Sequence, residues 1–315
     1  MNKPSNFNGK GSILERAADL YDLGVGSGSS RPEAREFSDE VPASDAASVW
    51  PIAKAKAVAE PLPEFPVGAG SANRLVSIDR ALLRQRGLVD PDGPVSGLAE
   101  EFRIIKRQLL LGTRGRTGID EAKRQNILVC SAQPDEGKTY CAVNLALSMA
   151  VEKDIEVLLI DADFANPGIP ALLGIKAGPG LTDAIADSGR DVNRLVIQTD
   201  IGGLSVLPAG RQANNVTELI ASARTSEVLR ALARNHPRRV LIFDSPPALV
   251  ASPASVLASH AGQVMMVVRA DRTTEADLRE AVALLCACDS ISLALNRASL
   301  AVSGRRFGSY YGQGE

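Results

Sequence analysis

Residues 131 to 139, Ser131-Ala132-Gln133-Pro134-Asp135-Glu136-Gly137-Lys138-Thr139, put a turn-forming stretch directly before a lysine and a hydroxyl. In a loop of this kind, backbone N–H groups and the start of the following helix point at phosphates, the lysine neutralises charge and the hydroxyl ligates magnesium. Gly137 lets the backbone approach closely. The full pattern Gly-x-x-x-x-Gly-Lys-Ser/Thr is not met, because Ala132 occupies the first glycine position. Alone, Gly-Lys-Thr is as readily a chance turn. Two acidic strand ends argue for more. The run Val157 to Asp163 delivers Asp161 and Asp163 at alternate positions, hence on one side of a strand's C-terminal end, and Val240 to Asp244 again ends in an acid. Carboxylate oxygens suit magnesium, and one of them can accept a proton from an attacking hydroxyl. Any one of these acids could be a helix cap or turn residue. Together they point to ATP or a related nucleotide bound with Mg2+, with Lys138, Asp161, Asp163 and Asp244 as candidate catalytic residues and Thr139, Asp163 and Asp244 as candidate metal ligands.

These residues need a scaffold, and the hydrophobic pattern describes one. Apolar runs of strand length, Asn126 to Ser131, Glu156 to Asp161, Leu204 to Pro208, Arg239 to Asp244, Gln263 to Val268 and Ile291 to Leu295, alternate with helical segments. Near-continuous Val, Ile and Leu runs suit strands buried on both faces, so the expected fold is α/β, a mostly parallel sheet sandwiched by helices. The loop lies between such a strand and a helix that begins at Lys138. Ligands of open parallel sheets bind at the edge formed by the strands' C-terminal ends. Leu98, Phe102, Ile105 and Leu109 follow helical spacing, and Pro91-Asp92-Gly93-Pro94 marks a turn before them, which predicts a helix over 97–111. Upstream, residues 24 to 72 are rich in Ser, Ala, Gly, Pro and Glu and read as a disordered linker, with a short amphipathic helix over Ser12 to Leu23 before it. The expected organisation is a 1–75 N-terminal region, a 76–302 nucleotide-binding domain and a 303–315 glycine-rich flexible tail.

With 315 residues the chain can build a core without staples. A formal net charge of −2 gives no global attraction to nucleic acid or anionic lipid, so no nucleic-acid partner is expected. Cys130, Cys141, Cys286 and Cys288 lack the spacing of a zinc site or disulfide framework and read as reduced core cysteines. The start has no signal-peptide core, and no run reaches the roughly 18 apolar residues of a membrane span. The expectation is a cytoplasmic protein.

In order and spacing, the three motifs resemble those of the bacterial tyrosine kinases, which use a P-loop NTPase fold, and among them the autokinases of exosortase-linked exopolysaccharide systems. The resemblance covers roughly Leu75 to the C-terminus and the N-terminal helix. It implies that the loop residues 131–139 and Tyr140 contact nucleotide, that Asp161 and Asp163 are the family's additional acidic motif, and that Asp244 is the Walker B acid. Related partitioning and septum-site ATPases of the MinD/ParA type carry a second lysine where this chain has Gln133, which favours the kinase over that alternative, an ATPase switch without kinase activity. Asn296, after Leu-Ala-Leu, resembles the strand-end asparagine that reads adenine in this wider class; a plain turn residue is the alternative. Glu100, Arg103 and Lys106 match a Glu-x-x-Arg-x-x-Arg stripe, with lysine last, that joins subunits of the family into a ring; an exposed salt-bridged face is the plainer reading. Tyr310 and Tyr311 in the tail would be the phosphate acceptors, phosphorylated between subunits, whereas Tyr140 reads as a helix residue and not a phosphosite. A membrane-embedded polysaccharide co-polymerase is the implied partner, recruiting the kinase to the inner face of the membrane.

The chain also departs from the family. Ala165 stands where the acidic motif, Asp-x-Asp-x-Arg, has its arginine, and only two tail tyrosines remain of a richer cluster. The sparse tyrosines imply sparse or slow autophosphorylation, and Ala165 together with the missing first glycine leaves open a nucleotide-binding scaffold without turnover.

Overall fold

The structure, a computed structural model, describes residues 75–114 and 121–298. The expected N-terminal helix, linker and tyrosine-bearing tail lie outside them. The apolar runs are strands where the pattern places them: β2 (Asn126–Ser131), β3 (Glu156–Asp161), β5 (Leu204–Leu207), β6 (Arg239–Asp244), β7 (Gln263–Arg269) and β8 (Ile291–Asn296). Two short strands, β1 (Leu75–Val76) and β4 (Ile197–Thr199), were not in that pattern. Together they make one sheet in the order β1-β4-β5-β3-β6-β2-β7-β8.

From β5 to β8 every pairing is parallel, but β4 runs antiparallel to β5 and β1 parallel to β4. The reversal has a local cause. Only residues 200–203 join β4 to β5, too few for a crossover. Gly203 takes a φ of 79, and a Cβ there would press on the Ala150 carbonyl. The far edge of the sheet is sealed by Asp200, which accepts hydrogen bonds from Ser77 Oγ at 2.7 Å, Ile78 N–H at 2.9 Å and Arg80 Nη1 at 2.8 Å. Burial would raise this carboxyl, but Arg80, Ile78 and Ser77 outweigh it and hold its pKa at about 2. A depressed acid stabilises the fold above its unfolded pKa and loses that contribution as pH falls toward the folded one. The stability difference between the parent and Asp200→Asn should therefore be about 1 kcal/mol at pH 6, after discounting for solvent screening. It should vanish between pH 4 and pH 2 in urea titrations.

Helices cover both faces: α1 (Arg80–Gln85), α2 (Gly97–Arg114), α3 (Glu121–Arg124), α4 (Lys138–Ala150), α5 (Ile169–Leu173), α6 (Leu181–Ala186), α7 (Val216–Ala221), α8 (Ala223–Ala233), α9 (Pro253–Ala258) and α10 (Glu275–Leu284). Alternate residues of the central strands feed two cores. Leu128, Leu158 and Leu241 join one, and Ile127, Val157, Leu159 and Ile242 the other, against α2 and α4. Cys130, Cys141 and Cys288 are buried as expected, and Cys286 is exposed.

Helix α2 continues three residues beyond its expected end and buries Phe102 and Leu109. Its stripe is not what the spacing suggested. Glu100 and Arg103 pair at 2.5 Å, partly exposed, but Lys106 is 4% exposed and turns inward. It lies four residues after Phe102 and three before Leu109, so helical geometry places it on the buried face. Its Nζ donates to the Ser148 carbonyl in the last turn of α4 at 2.8 Å and pairs with Glu152 at 2.6 Å. The ammonium thus satisfies a helix C-terminus and is not available to a neighbouring subunit. Replacing Lys106 by alanine should cost about 2 kcal/mol in urea unfolding, because the carbonyl loses a charged donor. Arg103→Ala should change stability by less than about 0.5 kcal/mol, as exposed pairs do.

Candidate active site

Three neighbouring strands bring the acidic and phosphate-loop residues together. β6 lies between β2 and β3, and Asp161 and Asp244 are register partners at the C-terminal ends of β3 and β6. β2 ends in the phosphate loop beside them. The loop is braced from the segment that follows β6: Ala248 N–H donates to the Ser131 carbonyl and Leu249 N–H to that of Ala132.

Within the loop, the left-handed positions are Asp135, φ 62, and Gly137, φ 96. Ala132 is not among them, so the missing first glycine carries no conformational penalty there. Gly137 is different, since a Cβ would collide with the Asn296 side-chain amide. The Ser131 hydroxyl donates to the Gln133 carbonyl at 2.9 Å, Pro134 and Asp135 are exposed, and Glu136 is fully buried. Helix α4 begins at Lys138 without a side-chain cap, leaving its first turn directed at the site.

Lys138 Nζ pairs with Asp163 Oδ2 at 2.6 Å and lies 3.4 Å from the Thr139 hydroxyl. Burial works against this ammonium, yet the charges of Asp244, Asp163 and Asp161 outweigh it and keep its pKa above the ordinary lysine value. Asp161 accepts from Asp163 N–H at 3.3 Å and from Ile169 N–H at 3.0 Å, so it also anchors the start of α5. Burial, then the neighbouring Asp244 charge, raises its pKa to about 7. A carboxyl poised there suits proton transfer at neutral pH. Asp163 Oδ1 accepts from Asn166 N–H at 3.2 Å.

Asp244 has no such support. Among the described residues its two carboxylate oxygens are buried without a hydrogen-bond partner. Burial is the main reason its pKa rises to about 6, with the Lys138 charge and the adjacent Thr139 hydroxyl opposing. An orphaned buried carboxylate beside a lysine and a threonine hydroxyl fits a divalent cation. No group of three or more His, Cys, Asp or Glu among the described residues is arranged to hold a metal ion. Magnesium is commonly held by one or two carboxylates together with phosphate oxygens and water, so the donor set suits an ion that arrives with a nucleotide.

Two expected members do something else. The Tyr140 hydroxyl donates to the Gly87 carbonyl at 2.5 Å, so the side chain of this helix residue is engaged by the segment before α2. Asn296 does end its strand at the loop, but its Nδ2 donates to the Glu136 carbonyl at 2.9 Å and its Oδ1 accepts from Arg297 N–H. Gln133 donates from Nε2 to Asp277 Oδ1 at 3.3 Å. The sequence reading missed Thr273, in the connection after β7, and Asp277, in the first turn of α10, which support the loop. The capping-box spacing of Thr274 and Asp277 was the available signal.

A family model described as ParA, NUBPL iron-transfer P-loop NTPase, matches residues 122–289. EpsB of Ralstonia solanacearum is 28% identical over 172 residues, 55% of this chain and 22% of that one. The chain thus spans about a fifth of that relative. The tyrosine-protein kinase YwqD of Bacillus subtilis is 26% identical over 212 residues, 67% of this chain and 85% of that one. The kinase domain of the Escherichia coli tyrosine kinase ETK shares the fold, with a TM-score of 0.56 at 24% identity over 75% of this chain and 95% of that one.

Proposed function

Because the chain belongs to the ParA family of P-loop NTPases, whose model covers more than half of it, we propose that its site binds ATP with Mg2+ and transfers the γ-phosphoryl group to protein tyrosine. The convergence of Lys138, Thr139, Asp161, Asp163 and Asp244 on one end of the central strands carries this reading. Similarity to bacterial tyrosine kinases supports tyrosine as the acceptor.

Lys138 exchanges Asp163 for phosphate oxygens when nucleotide enters, neutralising charge that develops on them. Thr139, Asp163 and Asp244 would hold the cation, which would supply further neutralisation of phosphate charge. Asp161 accepts the phenolic proton as the tyrosine oxygen bonds to phosphorus and the bond to the β-phosphate oxygen breaks, releasing ADP. The acceptors are Tyr310 and Tyr311 of an adjacent copy, in a tail outside the described residues. Added charge of about −1.5 to −2 per tyrosine would loosen a ring of subunits. Asn296 reads adenine with its second Nδ2 hydrogen and remaining Oδ1 lone pair, while its bond to the Glu136 carbonyl stays in place. Glu100 and Arg103 remain candidate ring contacts.

By family resemblance, the output is control of exopolysaccharide chain length or export in an exosortase-linked system, through a membrane-embedded co-polymerase that recruits this chain. No helix among the described residues is long and apolar enough to cross a membrane. Incubation of the purified chain with ATP and magnesium, with and without the co-polymerase's cytoplasmic segment, tests the reading by phosphotyrosine blotting. The parent should label, and Tyr310→Phe/Tyr311→Phe should lose most of the signal. ADP release without phosphotyrosine in either condition would replace the kinase with an ATPase switch.

A further inference from the structure

Glu136 stands two residues before Lys138, in a loop whose N–H groups have to face anionic phosphates. A carboxylate directed the same way would repel the ligand. Instead its side chain is fully buried and engaged on both oxygens. Oε2 accepts from Gln133 N–H at 3.0 Å, which closes the loop on itself, and Oε1 accepts from the Thr273 hydroxyl. Thr273 lies in the connection from β7 to α10, and its Oγ1 accepts in turn from Arg269 N–H at 2.9 Å. Gln133 reaches the same region through Asp277, in the capping box that opens α10. From β8, Asn296 holds the carbonyl of Glu136 itself. The phosphate loop is therefore fastened to the segment 269–277 by two side chains and to the end of β8 by a third.

We propose that Glu136 is a positioning residue for nucleotide, locking the phosphate loop in its binding shape by tying it to Thr273 in the β7–α10 connection. Its carboxylate also takes up the N–H of Gln133 within the loop. The conformation of the loop is thereby set before ligand arrives, which lowers the ordering cost of binding. The same tie makes nucleotide affinity sensitive to anything that shifts the 269–277 segment. This inference rests on the nucleotide-binding part of the proposed function and not on the phosphotransfer part.

The test is the affinity of the full chain for ADP with magnesium, measured by titration calorimetry well below each variant's melting temperature. Glu136→Ala should weaken binding by about 10-fold or more. Glu136→Gln should stay within about 3-fold of the parent, because its carboxamide can accept from Gln133 N–H and donate to Thr273. Thr273→Val should lose affinity, Thr273→Ser should retain it, and Glu136→Ala/Thr273→Val should bind no more weakly than Glu136→Ala alone, since the two share one tie. Parent-like binding by Glu136→Ala, failure of Glu136→Gln to rescue, or additive losses in the double variant would each overturn the proposal. ADP binding by the parent without phosphotyrosine would sink the kinase reading and leave this one standing.

Discussion

Replacing Lys138 by methionine is expected to reduce tyrosine phosphorylation at least about 100-fold, the scale on which removal of a single charge-stabilising donor acts. The ligand-free fold should weaken as well. Lys138 and Asp163 have side chains 12% and 4% exposed, and the ammonium is the shared counter-charge of Asp163, Asp161 and Asp244. Removing one partner of a buried pair costs about 3 to 5 kcal/mol because the other charge is left uncompensated. A fall in activity could then reflect a damaged fold. The double variant Lys138→Met/Asp163→Asn isolates the structural effect, since it removes both members of the pair at nearly constant volume, although Asp163 is also a proposed metal ligand. Its thermal stability should recover most of the loss while phosphotyrosine formation stays absent. Recovery of labelling in the double variant would show that neither Lys138 nor Asp163 is needed for transfer.

Asp244→Asn should behave in the opposite way, with activity and stability moving apart. Both oxygens of Asp244 are buried without partners, and burial pushes its pKa to about 6. Without nucleotide, the carboxylate is a net cost near neutral pH, so the amide should raise unfolding free energy by about 1 to 2 kcal/mol. With ADP, the comparison changes. A parent that holds magnesium through Asp244 gains extra melting temperature when the metal is added to the ADP complex. The variant should lose that magnesium-dependent increment and at least about 100-fold of its phosphotransfer. If Asp244→Asn keeps the full increment, Asp244 is not a metal ligand and its orphaned oxygens need another explanation.

The two experiments depend on a site whose parts were readable in the chain to different degrees. Lys138, Thr139, Asp161, Asp163 and Asp244 could be found because each follows a long apolar run, and a parallel sheet collects the ends of such runs at one edge. Ala132 weakened the loop's pattern on paper only, since the left-handed positions that demand permissive residues are 135 and 137. The matched range of the family model, 122–289, spans all of these residues. The strands β1 and β4 were invisible because two or three residues give no periodicity to read, and the reversal of β4 depends on a connection length that gains meaning only once β5 is placed.

Side-chain direction was the other hidden quantity. Glu100, Arg103 and Lys106 share a spacing, but whether a residue at the margin of a helical stripe points out or in depends on what packs opposite. Here the opposite element is the end of α4, whose Ser148 carbonyl draws Lys106 inward. Tyr140 likewise turns to Gly87 on a segment more than 50 residues earlier in the chain. Glu136 was read only as a member of the phosphate loop, because its role is a contact with Thr273 across the fold. The sequence by itself determined the six longer strands, the residue types at their ends and the class of ligand, since those follow from local pattern and residue type. Only the tertiary structure decided which side chains face the ligand, which brace the loop and which merely cap a helix, because those choices are made by contacts between segments far apart in the chain.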